Sequence, residues 1–266
     1  MAETIEVLYY VDASAEAVTQ RTAQYFVDGI RAAAGARGKA RIAISGGHTP
    51  KNAFALLADP AAQYREQIPW ENLELYWVDE RCVPPDHPDS NYRMTREALL
   101  DQVPLGENQI FRIHGELNPE PAADRYEFEI RQSFRLEGAE IPIFDMVALG
   151  MGPDGHTASL FPHTAGLHEL MRIAIANHVP QQKETWRVTL TSPVINRGRD
   201  VVFLIAGADK SEPLREVLLG AYDPEKYPSQ LIRPASGQLT LLLDRAAAAE
   251  LPPIADGDAG RLEVSR

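Results

Sequence analysis

The chain has 266 residues, of which 44% are hydrophobic, so it is long enough to bury the core of one large domain or two small ones. Its 26 lysine and arginine residues face 38 aspartate and glutamate residues, and the resulting formal charge of −12 disfavours nucleic acid and anionic membranes as partners. The single cysteine, Cys82, excludes an internal disulfide and a thiolate-rich metal site.

Residues 1–6 lack the basic and apolar segments of a secretory signal, and no later apolar run approaches the length that a bilayer requires. We therefore expect a cytoplasmic protein.

Strand-like and helix-like segments alternate along the chain. The strand-like segments are short apolar runs, at residues 5–11, 41–45, 73–78, 110–113, 144–149, 172–176, 187–191, 201–206 and 239–243. The helix-like segments have a longer period or capping residues, at about 13–34, 50–58, 92–100, 121–136 and 210–219. This alternation predicts an α/β fold, a mainly parallel β-sheet flanked by helices on both faces.

Neither an internal repeat nor a flexible linker divides the chain, so we expect a single α/β domain over residues 1–251. Residues 252–266 begin with turn-forming residues and have no periodicity, which indicates a loosely packed C-terminal tail.

A glycine-rich turn, S-G-G-H-T-P at residues 45–50, lies between a predicted strand and a predicted helix. Gly46 and Gly47 let the backbone approach a ligand closely, Thr49 is a suitable N-cap, and free amides at a helix start attract phosphate. The alternative is an ordinary capped turn. The turn matches neither a Walker loop nor the dinucleotide pattern, so no nucleotide cofactor is implied.

Two further segments follow predicted strands. Asp79, Glu80 and Arg81 are consecutive charged residues that cannot all enter a core, so at least one faces a crevice or solvent; the alternative is a solvated charge cluster. His156 lies in the turn M-G-P-D-G-H, beyond a strand end, where ligand sites of open α/β sheets form. A histidine there can act as a base near neutral pH, although glycine and histidine in a loop can also be purely structural.

A separated basic pair completes the set. Arg187 begins a predicted strand, and Lys210 begins a predicted helix, where the helix dipole disfavours a cation unless an anion is bound. Either residue can instead be a surface charge. No cluster has metal-ligand spacing, and His163 and His168 are interpreted as surface histidines.

Together these segments resemble the 6-phosphogluconolactonase family, whose pattern includes S-G-G-x-T-P, D-E-R-x-V-P followed by S-N-Y, G-x-G-x-D-G-H-T-A-S-L-F-P, and a late G-x-x-K. In this chain they occupy residues 45–50, 79–84 with 90–92, 150–162 and 207–210, in the same order. The resemblance implies a Rossmann-like architecture of the NagB/RpiA type.

The activity that the resemblance implies is that of a carboxylic ester hydrolase. It hydrolyses 6-phospho-D-glucono-1,5-lactone to 6-phospho-D-gluconate, the second step of the oxidative pentose phosphate pathway. The expected enzyme needs no cofactor and no metal, binds neither nucleic acid nor membrane, and is monomeric by default.

The resemblance also suggests roles for single residues. His156 is expected to be the general base for water, with Asp79, in preference to Asp154, as the carboxylate that orients the imidazole. Arg81 is expected to bind the substrate or the developing oxyanion. The residues expected to bind the substrate phosphate are Gly46, Gly47, Thr49, Arg187 and Lys210.

Three alternatives to this chemistry fit the sequence less well. Glucosamine-6-phosphate deaminases resemble the chain in fold and phosphate loop, but they continue from G-H into I-A-F-N-E-P, where this chain has T-A-S-L-F-P. A sugar-phosphate sensor would keep the phosphate loop, but the chain leaves no room for a helix-turn-helix module. Ser45 and Ser159 are alternative nucleophiles, although neither lies in a G-x-S-x-G elbow.

Overall fold

A computed structural model describes residues 4–182 and 185–265. The strands of that part of the chain are β1 Thr4–Asp12, β2 Ala40–Ile44, β3 Leu73–Trp77, β4 Asp79–Arg81, β5 Ile110–Phe111, β6 Met146–Leu149, β7 Ala174–Val179, β8 Thr185–Leu190, β9 Asp200–Ile205, β10 Gln238–Asp244 and β11 Ala259–Ser265. The helices are α1 Ala15–Arg37, α2 His48–Ala58, α3 Asn91–Ala98, α4 Pro119–Phe134, α5 Ser192–Ile195 and α6 Ser211–Leu219.

The main sheet has eight strands in the order β11-β1-β10-β9-β6-β2-β3-β5. Every neighbouring pair is parallel except β11 and β1, which are antiparallel. Strands β3 and β6 are buried at every residue, as expected of strands that are covered on both faces. The predicted α/β fold with a mainly parallel sheet is therefore confirmed.

A second, antiparallel sheet has the order β4-β8-β7. The prediction of a parallel sheet does not extend to these strands, because the alternation of strands and helices does not specify which strands pair. Val78 joins the two sheets: its N–H donates to the carbonyl of Ile44, and its carbonyl accepts from the N–H of Leu190, both at 2.8 Å. The chain thus leaves the main sheet at Val78 and enters the small sheet at Asp79.

The ends of helix α1 differ by a few residues from those predicted, because its capping residues set them. Its N-cap is Ser14, whose side chain accepts a hydrogen bond from the N–H of Ala17. The helix predicted over about residues 13–34 continues to Arg37, because Gly38 is the residue that adopts the left-handed conformation, with φ 75°.

The end of the chain differs from expectation. Residues 259–265, in the segment expected to be a loosely packed tail, form β11 at the edge of the main sheet. Gly260 lies against Tyr9, since an added Cβ would be 2.2 Å from Cζ of that ring. Only Gly260 and Val264 of β11 are buried, and the other face of the strand is exposed and largely polar. The strand therefore has no continuous apolar run that would predict it from the sequence.

One buried contact fixes the end of β3 next to the small sheet. The hydroxyl of Tyr126 in α4 donates to the carbonyl of Trp77 at 2.6 Å and accepts from its N–H at 2.9 Å. Burial raises the pKa of the Tyr126 phenol, so it stays protonated and able to donate. Helix α4 thereby fixes the backbone of Trp77, two residues before Asp79.

None of the helices in the described residues combines the length and apolar character needed to cross a bilayer.

Candidate active site

Loops that follow β2, β3, β6 and β9 meet at the carboxyl edge of the main sheet, where the small sheet adds β4 and β8. They enclose a cavity of about 380 Å³. Eight of the nine residues predicted for the site line it, namely Gly46, Gly47, Thr49, Asp79, Arg81, His156, Arg187 and Lys210. The ninth, Asp154, contacts His156.

His156 is held by its own loop. Its Nδ1 lies 2.5 Å from Oδ1 of Asp154, and its ring stacks on Phe161 with centroids 3.9 Å apart. A Cβ at Gly152 would lie 2.1 Å from Nδ1, so the loop needs glycine there. Nδ1 is thus engaged, and Nε2 forms no hydrogen bond with any described residue.

The electrostatics of this pair favour a charged carboxylate. Burial would raise the pKa of Asp154, but its hydrogen bond to His156 and the imidazole charge lower it more, so the pKa is below its usual range. The Asp154 side chain is 37% exposed and that of His156 22% exposed.

The expected preference for Asp79 as the partner of the imidazole is not what the structure shows. Oδ2 of Asp79 accepts from Oγ of Ser159 at 2.6 Å, and Nδ2 of Asn91 lies 3.4 Å from Oδ1. Asp154 contacts the imidazole instead, because the tight turn allowed by Gly152 and Gly155 folds it onto the residue two positions along. Ser159 is fully buried and bonded to Asp79, which does not favour it as a nucleophile.

Arg81 and Arg187 lie directly opposite each other in the antiparallel pair of β4 and β8. Like charges in this position repel unless an anion or a solvated environment compensates them. Arg187 is 8% exposed, and burial lowers the pKa of its guanidinium. Among the described residues, neither buried Nε has a hydrogen-bond partner, although Nη1 of Arg81 donates to the carbonyl of Asp89 at 2.6 Å.

A third buried polar atom of the cavity, Oγ of Ser45, also has no partner in the described part of the chain. Buried polar atoms in native proteins are nearly always hydrogen-bonded. Three unpaired donors along one cavity, two of them on cations, therefore suit an anionic ligand that carries several oxygen atoms.

The turn after β2 differs from the prediction in one detail. Gly47, with φ 120°, is the N-cap of α2, and Thr49 lies in the first helical turn rather than at the N-cap. The free amides at this helix start still border the cavity. On the other side, Lys210 is the N-cap residue of α6, and its Nζ lies 2.8 Å from Oδ2 of Asp209.

Sequence reasoning missed Glu80 and Asn91. Glu80 is 2% exposed, and its carboxylate accepts hydrogen bonds from the Ser90 hydroxyl and from the N–H groups of Arg81, Asn91 and Tyr92, at 2.7–2.9 Å. It thereby fastens the start of α3 to β4. The signal was present, because period two in a strand turns Glu80 away from the face of its two neighbours.

Asn91 links two parts of the site. Its Nδ2 donates to the carbonyl of Asp79 at 2.9 Å, and its Oδ1 would lie 1.9 Å from a Cβ added at Gly46. It therefore packs the glycine turn against β4. The motif S-N-Y was noted in the sequence, but a tertiary contact of this kind has no local pattern.

Other chemistry-bearing groups contribute less. Burial raises the pKa of the Cys82 thiol to about 11, so it is not a thiolate near neutral pH. His163 and His168 have side chains that are 70% and 71% exposed, as expected of surface histidines. Within the described ranges, no three His, Cys, Asp or Glu side chains are grouped as metal ligands.

The chain is similar to known proteins over most of its length. The family described as glucosamine-6-phosphate isomerases/6-phosphogluconolactonase matches residues 13–241. A 6-phosphogluconolactonase of Synechocystis sp. is 44% identical over 218 residues, covering 82% of this chain and 87% of that protein. One of Nostoc sp. is 38% identical over 252 residues, covering 94% and 99%.

Solved structures give the same assignment. The 6-phosphogluconolactonase from Trypanosoma brucei superposes with a TM-score of 0.80 at 28% identity, covering 92% of this chain and 98% of that one. The chain therefore belongs to the family of glucosamine-6-phosphate isomerases and 6-phosphogluconolactonases, on the 6-phosphogluconolactonase side of it.

Proposed function

We propose that the protein hydrolyses 6-phospho-D-glucono-1,5-lactone to 6-phospho-D-gluconate in the oxidative pentose phosphate pathway. The observation that carries the proposal is a cavity lined by His156, whose imidazole contacts Asp154, and by Arg81 and Arg187. The Nε atoms of both arginines are buried and have no hydrogen-bond partner among the described residues. The substrate is inferred from the relatives, which are named 6-phosphogluconolactonases.

The phosphate of the substrate is proposed to bind at the start of α2. There the amides of Gly46 and Gly47, the hydroxyl of Thr49 and the charges of Arg187 and Lys210 border the cavity. Helix-end amides and charge-assisted hydrogen bonds both favour a phosphate dianion. This local basic cluster allows a protein with a formal charge of −12 to bind an anionic substrate.

The base is proposed to be Nε2 of His156, the ring nitrogen that the loop leaves free. It takes a proton from water while the water oxygen forms a bond to the lactone carbonyl carbon. The tetrahedral intermediate then collapses, the bond to the ring oxygen breaks, and the imidazolium returns its proton to that oxygen. Asp154, held at Nδ1, stabilises the imidazolium between the two transfers.

Charge on the carbonyl oxygen needs a partner during the attack. Arg81 is proposed to supply it, because its Nε is buried, unpaired among the described residues and on the same face of β4 as Asp79. Asp79, fixed by Ser159, is proposed to orient the attacking water.

The test is acid release from freshly prepared lactone at neutral pH, with a buffer blank because the lactone also opens without enzyme. We expect His156→Ala to lower kcat/KM by about 10²- to 10⁴-fold and to keep its affinity for 6-phosphogluconate. His163→Ala is the matched control, since that side chain is 70% exposed, and it should behave as wild type.

Two results would contradict the proposal. Binding of 6-phosphogluconate without turnover by the wild type would favour a sensor, and equal activity of His156→Ala and wild type would remove His156 as the base. The cytoplasmic location and the monomeric state stay predictions.

A further inference from the structure

A second cavity, of about 670 Å³, opens at the edge of the main sheet opposite the active site. Its lining includes Arg41 at the start of β2, Asp145 just before β6 and Arg199 just before β9. The active-site loops follow the other ends of these same strands. The two cavities are thus separate, and the residues of this one have no part in the proposed reaction.

The lining of this cavity is unusually basic for the molecule. It contains five cationic side chains, those of Arg37, Lys39, Arg41, Arg197 and Arg199. The chain as a whole has 12 more acidic than basic residues, so a random group of its charged side chains would carry a net negative charge. Clustered cations repel one another, and an anion among them removes that cost.

The nearby carboxylates do not balance these charges. Asp145 accepts from Arg37 at 2.6 Å and lies 3.5 Å from Nε of Arg199, so it serves two cations. Glu74 likewise serves two, Arg41 at 2.9 Å and Lys39. Both carboxylates are buried, with side chains 7% and 9% exposed, and they hold the cations at the rim.

The fifth cation, Arg197, has a side chain with no ion pair or hydrogen bond to any described residue. Glu140 also lines the cavity, and its carboxylate accepts from the N–H of Glu137 at 2.8 Å. Even with Glu140, Glu74 and Asp145 all ionised, the five cations leave an excess of two positive charges.

An apolar wall faces the basic rim. It is built from the half-buried side chains of Phe134, Leu136, Ile141 and Ile143, and the guanidinium of Arg41 lies 4.3 Å from the centre of the Phe134 ring. Sites for small molecules combine such walls with a few polar groups and have volumes of roughly 300–1,000 Å³. The volume of this cavity lies within that range.

We propose that this cavity, the basic groove, is a binding site for a nucleotide-like polyphosphate. The phosphoryl groups bind the unpaired Arg197 and the weakly paired Arg199, and the ring system lies on the apolar wall. Guanidinium groups match phosphate oxygens in fork geometry, and cations distributed around a rim suit a chain of phosphates better than a single carboxylate. The inference is independent of the proposed lactone hydrolysis.

The test is calorimetric titration of the full chain at 0.15 M salt, with ATP, tripolyphosphate and adenosine as probes. We expect saturable one-to-one binding of ATP, weaker binding of tripolyphosphate and none of adenosine. The double variant R197A/R199A should weaken ATP binding at least about tenfold, since each lost charge-assisted bond contributes measurably. Saturating 6-phosphogluconate should leave ATP binding unchanged.

The matched control is R245A/R261A, which removes the same charge from arginines that are 66% and 69% exposed outside the groove. Thermal melting checks the fold, and R197E serves as a second variant that touches no described partner. The proposal is overturned by absence of saturable ATP binding, by equal weakening in both double variants, or by displacement of ATP with 6-phosphogluconate. Equal affinity for ATP and tripolyphosphate would also overturn it, because the apolar wall would then contribute nothing to binding.

Discussion

At the scale of single residues, the proposed base and its partner come from one turn. His156 and Asp154 are two positions apart, and the ring also stacks on Phe161, so two contacts within one loop orient the imidazole. A base fixed in this way loses little entropy when the substrate binds.

We expect Asp154→Asn to lower kcat at least about tenfold, a part of the roughly 10²- to 10⁴-fold that a general base contributes. An amide at Nδ1 stabilises an imidazolium less than a carboxylate does. Steady-state kinetics would measure the change, and Asp86→Asn, an exposed aspartate, is the control. Unchanged kcat would mean that Asp154 does not assist the base.

Arg187 provides a second residue-scale prediction. Arg187→Lys keeps the charge but loses the planar fork and shortens the side chain. We expect KM to rise about tenfold, equivalent to about 1.4 kcal/mol of binding, with a smaller change in kcat. Arg172→Lys, which alters an arginine outside the cavity, is the control. A fall in kcat at constant KM would instead assign Arg187 to the carbonyl end of the substrate.

At the scale of elements, the site depends on contacts between segments that are distant in the chain. Glu80 fastens α3 to β4, and Asn91 then connects β4 with the glycine turn that starts α2. The start of α2, where we propose that the phosphate binds, and β4, which carries Asp79 and Arg81, are therefore held by one network rather than by separate loops.

Two glycine variants distinguish an effect of this network on activity from an effect on overall stability. Gly46→Ala places a Cβ 1.9 Å from Oδ1 of Asn91, so Asn91 must move. We expect kcat/KM to fall by about 10-fold or more, because a misplacement of 1 Å can cost about 10²-fold. Overpacking should also lower stability by about 1–3 kcal/mol.

Gly35→Ala is the matched control, because Gly35 lies inside α1 with no heavy atom within 4 Å of an added Cβ. It should stabilise the protein by about 0.5–1 kcal/mol and leave kcat/KM unchanged. Thermal melts and lactone hydrolysis measure both effects. A Gly46→Ala variant with full activity would show that Asn91 does not couple the two ends.

At the scale of the whole molecule, Asp200 gives the fold a dependence on pH. Burial raises its pKa to about 6, although the hydrogen bond from the Tyr25 hydroxyl partly opposes this. The folded carboxyl thus holds its proton more tightly than the unfolded one. This residue costs nothing below about pH 4, destabilises the fold increasingly between pH 4 and 6, and has its full effect above pH 6.

We therefore expect Asp200→Asn to raise the free energy of unfolding by about 1–3 kcal/mol at pH 7.5 and to have little effect near pH 4. Urea denaturation at both pH values measures the difference. The control is Asp28→Asn, which alters an exposed aspartate that lines the same surface pocket as Asp200 and Tyr25 and should show no such difference. An equal effect of Asp200→Asn at the two pH values would contradict the assigned shift.

Local sequence patterns predicted every strand of the main sheet except β11, and the crevice in which the candidate site lies. Apolar runs such as those of β6 and β9 specify buried strands, and glycine and capping residues specify where they end. Because parallel strands place their carboxyl ends at one edge, His156, Asp79, Lys210 and the turn at Gly46 could be expected in one crevice.

The partners of these residues, in contrast, depend on how distant segments of the folded chain meet. The register of β4 and β8 places Arg81 opposite Arg187, more than a hundred positions away, and Asp79 turns to Ser159 rather than to His156. Likewise, β11 pairs with β1 from the opposite end of the chain. Local periodicity encodes which face of a strand is buried, whereas pairing and contacts between distant segments depend on how the whole core packs.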